Sequence, residues 1–152
     1  ITRSEPIRNA AILFAQARLS PVLLGQIAAT AAHDNDAEYI RSVREEYTKR
    51  RNLLVDLLNG IPGVICPKPK GAFYCGVELP IDDSDKFAQW LLEHYSHNNE
   101  TVMVAPMSGF YSNPELGRKQ VRIAYVLKED DLRRSVEILN DALQKYKLEF
   151  NL

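Results

Sequence analysis

One arginine stands in a stretch of sequence that otherwise has the pattern of a buried strand. The strand predicted from residue 120 onward alternates between two faces, one with Val121, Ile123 and Tyr125 and the other with Arg122, Ala124 and Val126. A buried guanidinium must be paired, because an uncompensated charge in a low-dielectric site costs on the order of several kcal/mol. Its planar fork can hold a carboxylate by two parallel hydrogen bonds. Arg122 is therefore a candidate carboxylate-binding residue.

Arg122 could also have a purely structural role that needs no ligand. The guanidinium could form an ion pair with an Asp or Glu of the same chain, or it could extend into solvent from an edge strand. Because arginine is rarely fully buried without a partner, the residues alone favour these structural roles. The remaining possibility is a site for the carboxylate of a ligand.

The segment KPKGAFY, residues 68–74, contains two lysines but does not predict a phosphate loop. The glycine spacing of that motif and its following Ser or Thr are absent. Lys68 and Lys70 flank Pro69 in a predicted solvated turn, whereas a lysine that binds a carbonyl cofactor needs a desolvated or cationic pocket. We expect both lysines to be surface residues.

Composition and charge exclude several classes of protein. The chain has 19 basic and 20 acidic residues interspersed along 152 positions, which gives no electrostatic footprint for nucleic acid or a membrane surface. The longest apolar runs, residues 10–15 and 27–32, are too short to span a bilayer. No signal peptide is visible, so the cytoplasm is the expected location. The sequence begins without Met, which suggests a trimmed chain.

The cysteines and histidines predict neither a disulfide framework nor a metal site. Cys66 and Cys75 flank a turn and could lie close together, but two cysteines favour small core residues. With His33, His94 and His97 they form no ligand spacing typical of a metal site. No metal is expected.

The order of elements predicts an α+β fold. Helices are expected over residues 4–19, 21–33, 37–59, from 82 to about 96, and from 129, with strands over 64–66, 72–79, 102–104 and from 120. We therefore expect a small antiparallel or mixed sheet covered by helices and preceded by long helices. A polar run at residues 34–36 is expected to separate the second helix from the third. Gly60 and Pro62 are expected to end the long third helix.

Three motifs resemble one enzyme family. The segments PMSGFY, residues 106–111, and GRKQVRIAY, residues 117–125, resemble the C-terminal end of class I and II aminotransferases of the aspartate aminotransferase family. KGAFY, residues 70–74, is similar to the PxGAFY motif of that family. The family has fold type I and depends on pyridoxal phosphate. The resemblance covers essentially the whole chain, but only the C-terminal part of the enzyme.

The resemblance implies that six residues lie at or beside the substrate pocket. Arg122 matches the arginine that binds the substrate α-carboxylate, and Phe73 and Tyr74 match aromatic residues that border the substrate side of the active site. The loop positions that match the family beside the substrate pocket are Ser108, Gly109 and Phe110. The structural alternatives are core aromatic residues on a strand and an ordinary glycine-bearing turn.

The resemblance also implies that the cofactor-binding residues and the large domain of the enzyme lie outside this chain. The family's cofactor lysine, the Asp for the pyridine nitrogen, the phosphate-binding groups and the stacking aromatic have no match here, so no catalytic and no cofactor-binding residue is expected. Residues 1–35 would be helices left from the junction with a missing large domain, and residues 36–152 the small domain. The full-length parent would be a homodimer that uses pyridoxal phosphate, an amino acid and a 2-oxo acid. This chain alone would bind no cofactor and be inactive.

A second hypothesis belongs to a different class of protein. The chain could be a stand-alone α+β module, ligand-binding or regulatory, that senses a small carboxylic acid through Arg122. The fold alone does not separate the two hypotheses, because such sheets support many functions. Under the first hypothesis, the helix over residues 4–19 should expose an apolar face evolved to pack against a large domain, or bury it by self-association.

Overall fold

The computed structural model of the chain describes residues 2–18, 20, 22–33 and 37–152. The regular elements of these residues are α1 Glu5–Arg18, α2 Leu23–His33, α3 Ala37–Asn59, β1 Tyr74–Glu78, α4 Ser84–Glu93, β2 Ala105–Pro106, β3 Gln120–Ala124 and α5 Glu129–Phe150, with two short 3-10 helices, Ser108–Phe110 and Pro114–Gly117. The predicted α+β class is confirmed. The predicted boundaries at residues 19, 21 and 34–36 lie outside the described residues. The chain divides into two compact units, residues 1–41 and 42–152.

The first unit contains helices with exposed apolar side chains. None of the described residues of α1 and α2 is buried. Phe14 is 78% exposed and Leu24 is 76% exposed. The first helix therefore exposes its apolar side chains in the single chain, whereas their burial by self-association stays a prediction. Neither these helices nor any other described helix is both long and apolar enough to cross a membrane.

The second unit contains a three-stranded antiparallel sheet in the order β1-β3-β2. One face of the sheet is buried with the helices, because alternate residues of β1 and β3 belong to the same apolar core as α3, α4 and α5. The strand residues of that core are Cys75, Val77 and Val121, and Tyr125 joins them directly after the end of β3. The other face, which carries Arg122, remains outside the core.

The strand predicted over residues 64–66 is wrong. Only a single bridge forms there, between Ile65 and Glu78. The side chain of Asn59, at the end of α3, accepts from Cys66 N and donates to Cys66 O, both at 2.9 Å. Those backbone groups would otherwise serve a strand ladder, and Pro67 has no N–H to extend it.

The strand predicted over residues 102–104 is also wrong. The observed strand β2 contains only Ala105 and Pro106. Thr101 donates its hydroxyl to the Leu91 carbonyl at the end of α4, at 2.8 Å, and Met103 is 82% exposed. The apolar run therefore connects α4 to the sheet and does not pair with it.

The strand predicted over residues 72–79 is shorter than expected. It begins at Tyr74, because Ala72 adopts a φ of 60°, which an extended strand does not allow. The Tyr125 hydroxyl holds this conformation by donating to the Ala72 carbonyl at 2.9 Å. The predicted start of the last helix with acidic residues is confirmed, since α5 begins with Glu129.

The two cysteines are core residues, as predicted. Both are free and buried. The Cys75 thiol donates to the Cys66 sulfur, and this interaction together with burial raises the pKa of Cys75, whereas it lowers the pKa of Cys66. The described residues hold no cluster of three or more His, Cys, Asp or Glu side chains that could bind a metal ion.

A carboxylate on α5 joins that helix to the segment that follows α4. Asp141 Oδ2 accepts hydrogen bonds from the Tyr95 hydroxyl and from Lys145 Nζ, both at 2.8 Å. His97 Nδ1 lies 3.1 Å from the same oxygen. The hydrogen bonds from Lys145 and Tyr95 lower the pKa of Asp141 from about 3.8 to about 2.

We expect Asp141→Asn to lower the free energy of unfolding by about 1 kcal/mol at pH 7, a modest value because the side chain is 31% exposed. The Asp141 pKa is lower in the folded state, so its contribution is present above pH 3.8 and is lost as the pH falls toward 2. Urea unfolding followed by circular dichroism should therefore show a gap between wild type and variant that narrows over this range. Asp56→Asn, on the exposed side of α3, is the control. A gap that is the same at pH 2.5 and pH 7 would contradict the assignment.

Candidate functional site

Arg122 lies on the central strand of the sheet and has no acidic partner among the described residues. These residues place no carboxylate within 4.0 Å of its guanidinium, and its N–H groups donate to no acceptor among them. The arginine itself is half-buried. The alternative of an ion pair with an Asp or Glu of the same chain is therefore wrong within the described residues. The alternative of an edge-strand position is also wrong, because β3 lies between β1 and β2.

Two further arginines of the chain are each paired with a glutamate. Arg50, whose side chain is 18% exposed, pairs with Glu46 at 2.8 Å and also donates to the Val126 carbonyl at 2.6 Å. Arg134 pairs with Glu100 at 2.6 Å. Arg122 thus differs from both in having no carboxylate partner in the described part of the chain.

Two aromatic rings take the place of that carboxylate. The Arg122 Cζ atom lies over the Tyr74 ring, 5.1 Å from its centroid, and over the Phe110 ring, 5.2 Å from its centroid. A guanidinium within about 6 Å of a ring centroid is attracted to the π face by electrostatics. The rings come from β1 and from the first 3-10 helix, two segments far apart in the sequence.

The strands on both sides of Arg122 carry very small residues at the opposing positions. Gly76 of β1 and Ala105 of β2 are its register partners. A side chain on Gly76 would begin 3.3 Å from Met107 Sδ, so this glycine makes room for the methionine. The guanidinium therefore has no large cross-strand neighbour at these two positions.

The loop that carries Phe110 is held by hydrogen bonds on both sides. Ser108 Oγ donates to Asp85 Oδ2 in the first turn of α4, at 2.6 Å. The Phe110 amide donates to the Met107 carbonyl at 3.0 Å. The Tyr111 hydroxyl donates to Gln120 Oε1 of β3 at 2.7 Å. These contacts fix the 3-10 helix relative to the sheet.

A glycine closes this loop. A Cβ atom at Gly117 would lie 2.3 Å from the Met107 carbonyl oxygen and 2.8 Å from the Ser108 amide nitrogen. Such distances are far below van der Waals contact, so only glycine fits. The close approach joins the start of the first 3-10 helix to the end of the second.

The aromatic pair at the start of β1 is not part of the core. Phe73 is 52% exposed and Tyr74 is 40% exposed, and their rings meet edge to face with centroids 5.4 Å apart. The alternative of core aromatic residues is therefore wrong for this pair. Tyr74 contacts Arg122 directly, whereas Phe73 is linked to the cluster through Tyr74.

The sequence of the chain agrees with one family over most of its length. Residues 1–139 match the family Aminotransferase class I and II. The chain belongs to this family. Among its relatives, an aspartate aminotransferase of Rhizobium meliloti is 32% identical in an alignment that covers 91% of this chain and 34% of that protein. Transaminase BacF of Bacillus subtilis (strain 168) is 37% identical in an alignment that covers 82% of this chain and 29% of that protein.

Solved structures of aminotransferases have the same fold. An alanine aminotransferase from Pyrococcus furiosus aligns with a TM-score of 0.78 at 25% identity, over 91% of this chain and 34% of that one. The apo structure of BacF aligns with a TM-score of 0.63 at 34% identity, over 75% of this chain and 28% of that one. The chain thus spans about a third of the length of the curated relatives that it matches.

The structure brings together some of the residues that the aminotransferase motifs indicated. Arg122, Tyr74 and Phe110 form one cluster, hereafter the arginine–aromatic cluster. The Ser108 hydroxyl donates to Asp85 and is not a free group, and a side chain at Gly109 would meet nothing within 4 Å.

The small residues of the site were not singled out from the sequence. These are Gly76, Ala105 and Gly117. A glycine inside a strand pattern often marks a close approach, so Gly76 carried a usable signal. Ala105 carried none, because its importance depends on the pairing of β2 with β3.

The cofactor of aminotransferases, pyridoxal phosphate, does not fit the residues of this chain alone. It needs a lysine in a desolvated or cationic pocket. None of the lysines in the described part of the chain is buried, and Lys68 and Lys70 are exposed beside Pro69. The arginine–aromatic cluster contains no lysine either.

Proposed function

We propose that this chain forms the carboxylate-binding part of a pyridoxal-phosphate-dependent aminotransferase similar to aspartate aminotransferase. Such an enzyme transfers an amino group between an amino acid and a 2-oxo acid. The observation that supports the proposal best is Arg122 itself, a half-buried cation on the central strand without an acidic partner in the described residues. Its place in the family motif adds to this support.

The role of Arg122 is to hold the α-carboxylate of the substrate by two parallel hydrogen bonds. The amino acid and the 2-oxo acid both carry that carboxylate beside the reacting carbon, so one arginine serves both directions of the transfer. Tyr74 and Phe73 border the substrate, and the loop with Ser108 and Gly109 lies beside it.

The complete enzyme contains a large domain in addition to this chain. Residues 1–35 belong to the junction with that domain, and residues 36–152 form the small domain. The cofactor lysine lies in the large domain, and the complete enzyme is a cytoplasmic homodimer. Bound pyridoxal phosphate supplies the electron sink for the chemistry.

The purified 152-residue chain tests this assignment. We expect no visible absorption band of lysine-bound cofactor after incubation with pyridoxal phosphate, and no transamination, because the chain has no buried lysine in its described part. Such a band would contradict the proposal. Calorimetry with succinate provides the second arm. Measurable binding without cofactor would favour the carboxylate-sensing module instead.

A further inference from the structure

Phe110 is an exposed aromatic residue in a well-anchored position. Its side chain is 59% exposed, so burial of apolar surface does not explain where it lies. Its amide donates to the Met107 carbonyl, and Gly117 packs against the same carbonyl group. The fold therefore fixes the backbone of a ring that contributes little to the core.

The ring contacts a guanidinium that has no carboxylate partner among the described residues. Arg122 Cζ lies 5.2 Å from the Phe110 centroid and 5.1 Å from the Tyr74 centroid. An acidic partner would also hold the guanidinium, but it would neutralise the charge and accept from the N–H groups that a ligand needs. Aromatic rings attract the cation through their π faces and accept none of those donors along the edge.

We propose that Phe110 is a positioning residue for Arg122. Together with Tyr74 it limits the orientations of the guanidinium, so that the charge stays in place while the N–H edge remains available to a carboxylate. The effect on substrate binding rests on the proposed function. The effect on Arg122 in the free chain does not.

Nuclear magnetic resonance on the 152-residue chain measures the effect of Phe110 on Arg122 in the free chain. The Nε–Hε signal of Arg122, assigned by its loss in Arg122→Lys, should be shifted by ring currents relative to the exposed Arg133. In Phe110→Leu it should move toward the Arg133 position, and in Phe110→Tyr it should stay. An Arg122 signal that is identical in wild type and Phe110→Leu would overturn the inference.

Steady-state kinetics of the complete aminotransferase measure the effect of Phe110 on substrate binding. Phe110→Leu should raise the KM for the amino acid by roughly two- to fivefold and leave kcat within about twofold, because the contact supports ground state and transition state alike. Phe110→Tyr should restore KM. The matched control is Phe150→Leu, which removes a ring 3.9 Å from Lys86 Nζ and should leave KM unchanged.

The outcomes separate this inference from the proposed function. If Arg122→Gln leaves KM unchanged, the proposed function fails. If Arg122→Gln raises KM while Phe110→Leu does not, only the positioning role is overturned, whatever the Arg122 signal shows. If Phe110→Leu does not fold, Phe110→Met, a flexible side chain of similar size, serves the same comparison.

Discussion

Replacement of Gly117 by alanine is expected to lower the free energy of unfolding of the chain by about 2–3 kcal/mol. The added Cβ would lie 2.3 Å from the carbonyl oxygen and 2.5 Å from the carbonyl carbon of Met107. These are backbone atoms, so relief requires movement of the loop and not merely of a side chain. The φ of Gly117 is not positive, which makes the requirement steric.

A second glycine of the same loop provides the control. Gly109→Ala places its Cβ in open space, with nothing within 4 Å, and should change the unfolding free energy by no more than about 0.5 kcal/mol. Urea unfolding followed by circular dichroism compares the two variants directly. Equal stabilities would show that the Met107 backbone accommodates the methyl group at no cost, and would contradict the rigid loop described above.

Arg122→Gln in the complete aminotransferase is expected to weaken carboxylate substrates by at least about 2 kcal/mol, or roughly 30-fold in affinity. The variant loses both charge-assisted hydrogen bonds of the fork. Arg122→Lys should fall between wild type and the glutamine variant, because a point charge remains but the planar fork does not. The dissociation constant of a non-reacting dicarboxylate, followed through the cofactor spectrum, measures the effect.

Two comparisons make this expectation specific. Arg133→Gln removes the same charge from the exposed side of α5 and should leave the dissociation constant unchanged. Arg122→Gln should alter the unfolding free energy of the chain by less than about 1 kcal/mol, since no ion pair is broken within the described residues. A stability loss of about 3 kcal/mol or more with unchanged substrate affinity would assign Arg122 a structural role.

The helices could be predicted from the sequence because their signals are local. The third helix was predicted over residues 37–59 and is observed over that range, with Gly60 immediately after it. The helix predicted from residue 82 begins at Ser84, because the Asp83 side chain accepts from the amides of Asp85 and Lys86 and caps it. Apolar periodicity and capping residues act within a few positions of each other.

The short strands were less predictable because pairing is a long-range property. Residues 64–66 have the composition of a strand, but the Asn59 side chain takes the backbone groups of Cys66. Residues 102–104 are apolar but form no strand, and the preceding Thr101 donates its hydroxyl to the Leu91 carbonyl near the end of α4. A pattern of apolar residues does not show which groups will form hydrogen bonds with the backbone of that segment.

The candidate site also contains residues that could be predicted from the sequence and contacts that could not. Arg122 was visible as a charge in an apolar strand, and the family motif indicated Tyr74. The meeting of Phe110 with Arg122, and the space left by Gly76 and Ala105, depend on the register of three strands and on the loop fixed by Gly117. The motif thus indicated the residue that carries the charge, whereas the structure was needed to show what surrounds it.

The most direct test of the central claim is a crystal structure of the complete aminotransferase with a bound substrate-like carboxylic acid. We expect two parallel hydrogen bonds of about 2.7–2.9 Å between the Arg122 guanidinium and the α-carboxylate, with Tyr74 and Phe110 still in contact with the cation. A carboxylate held by another group, with Arg122 touching only the two rings, would contradict the claim.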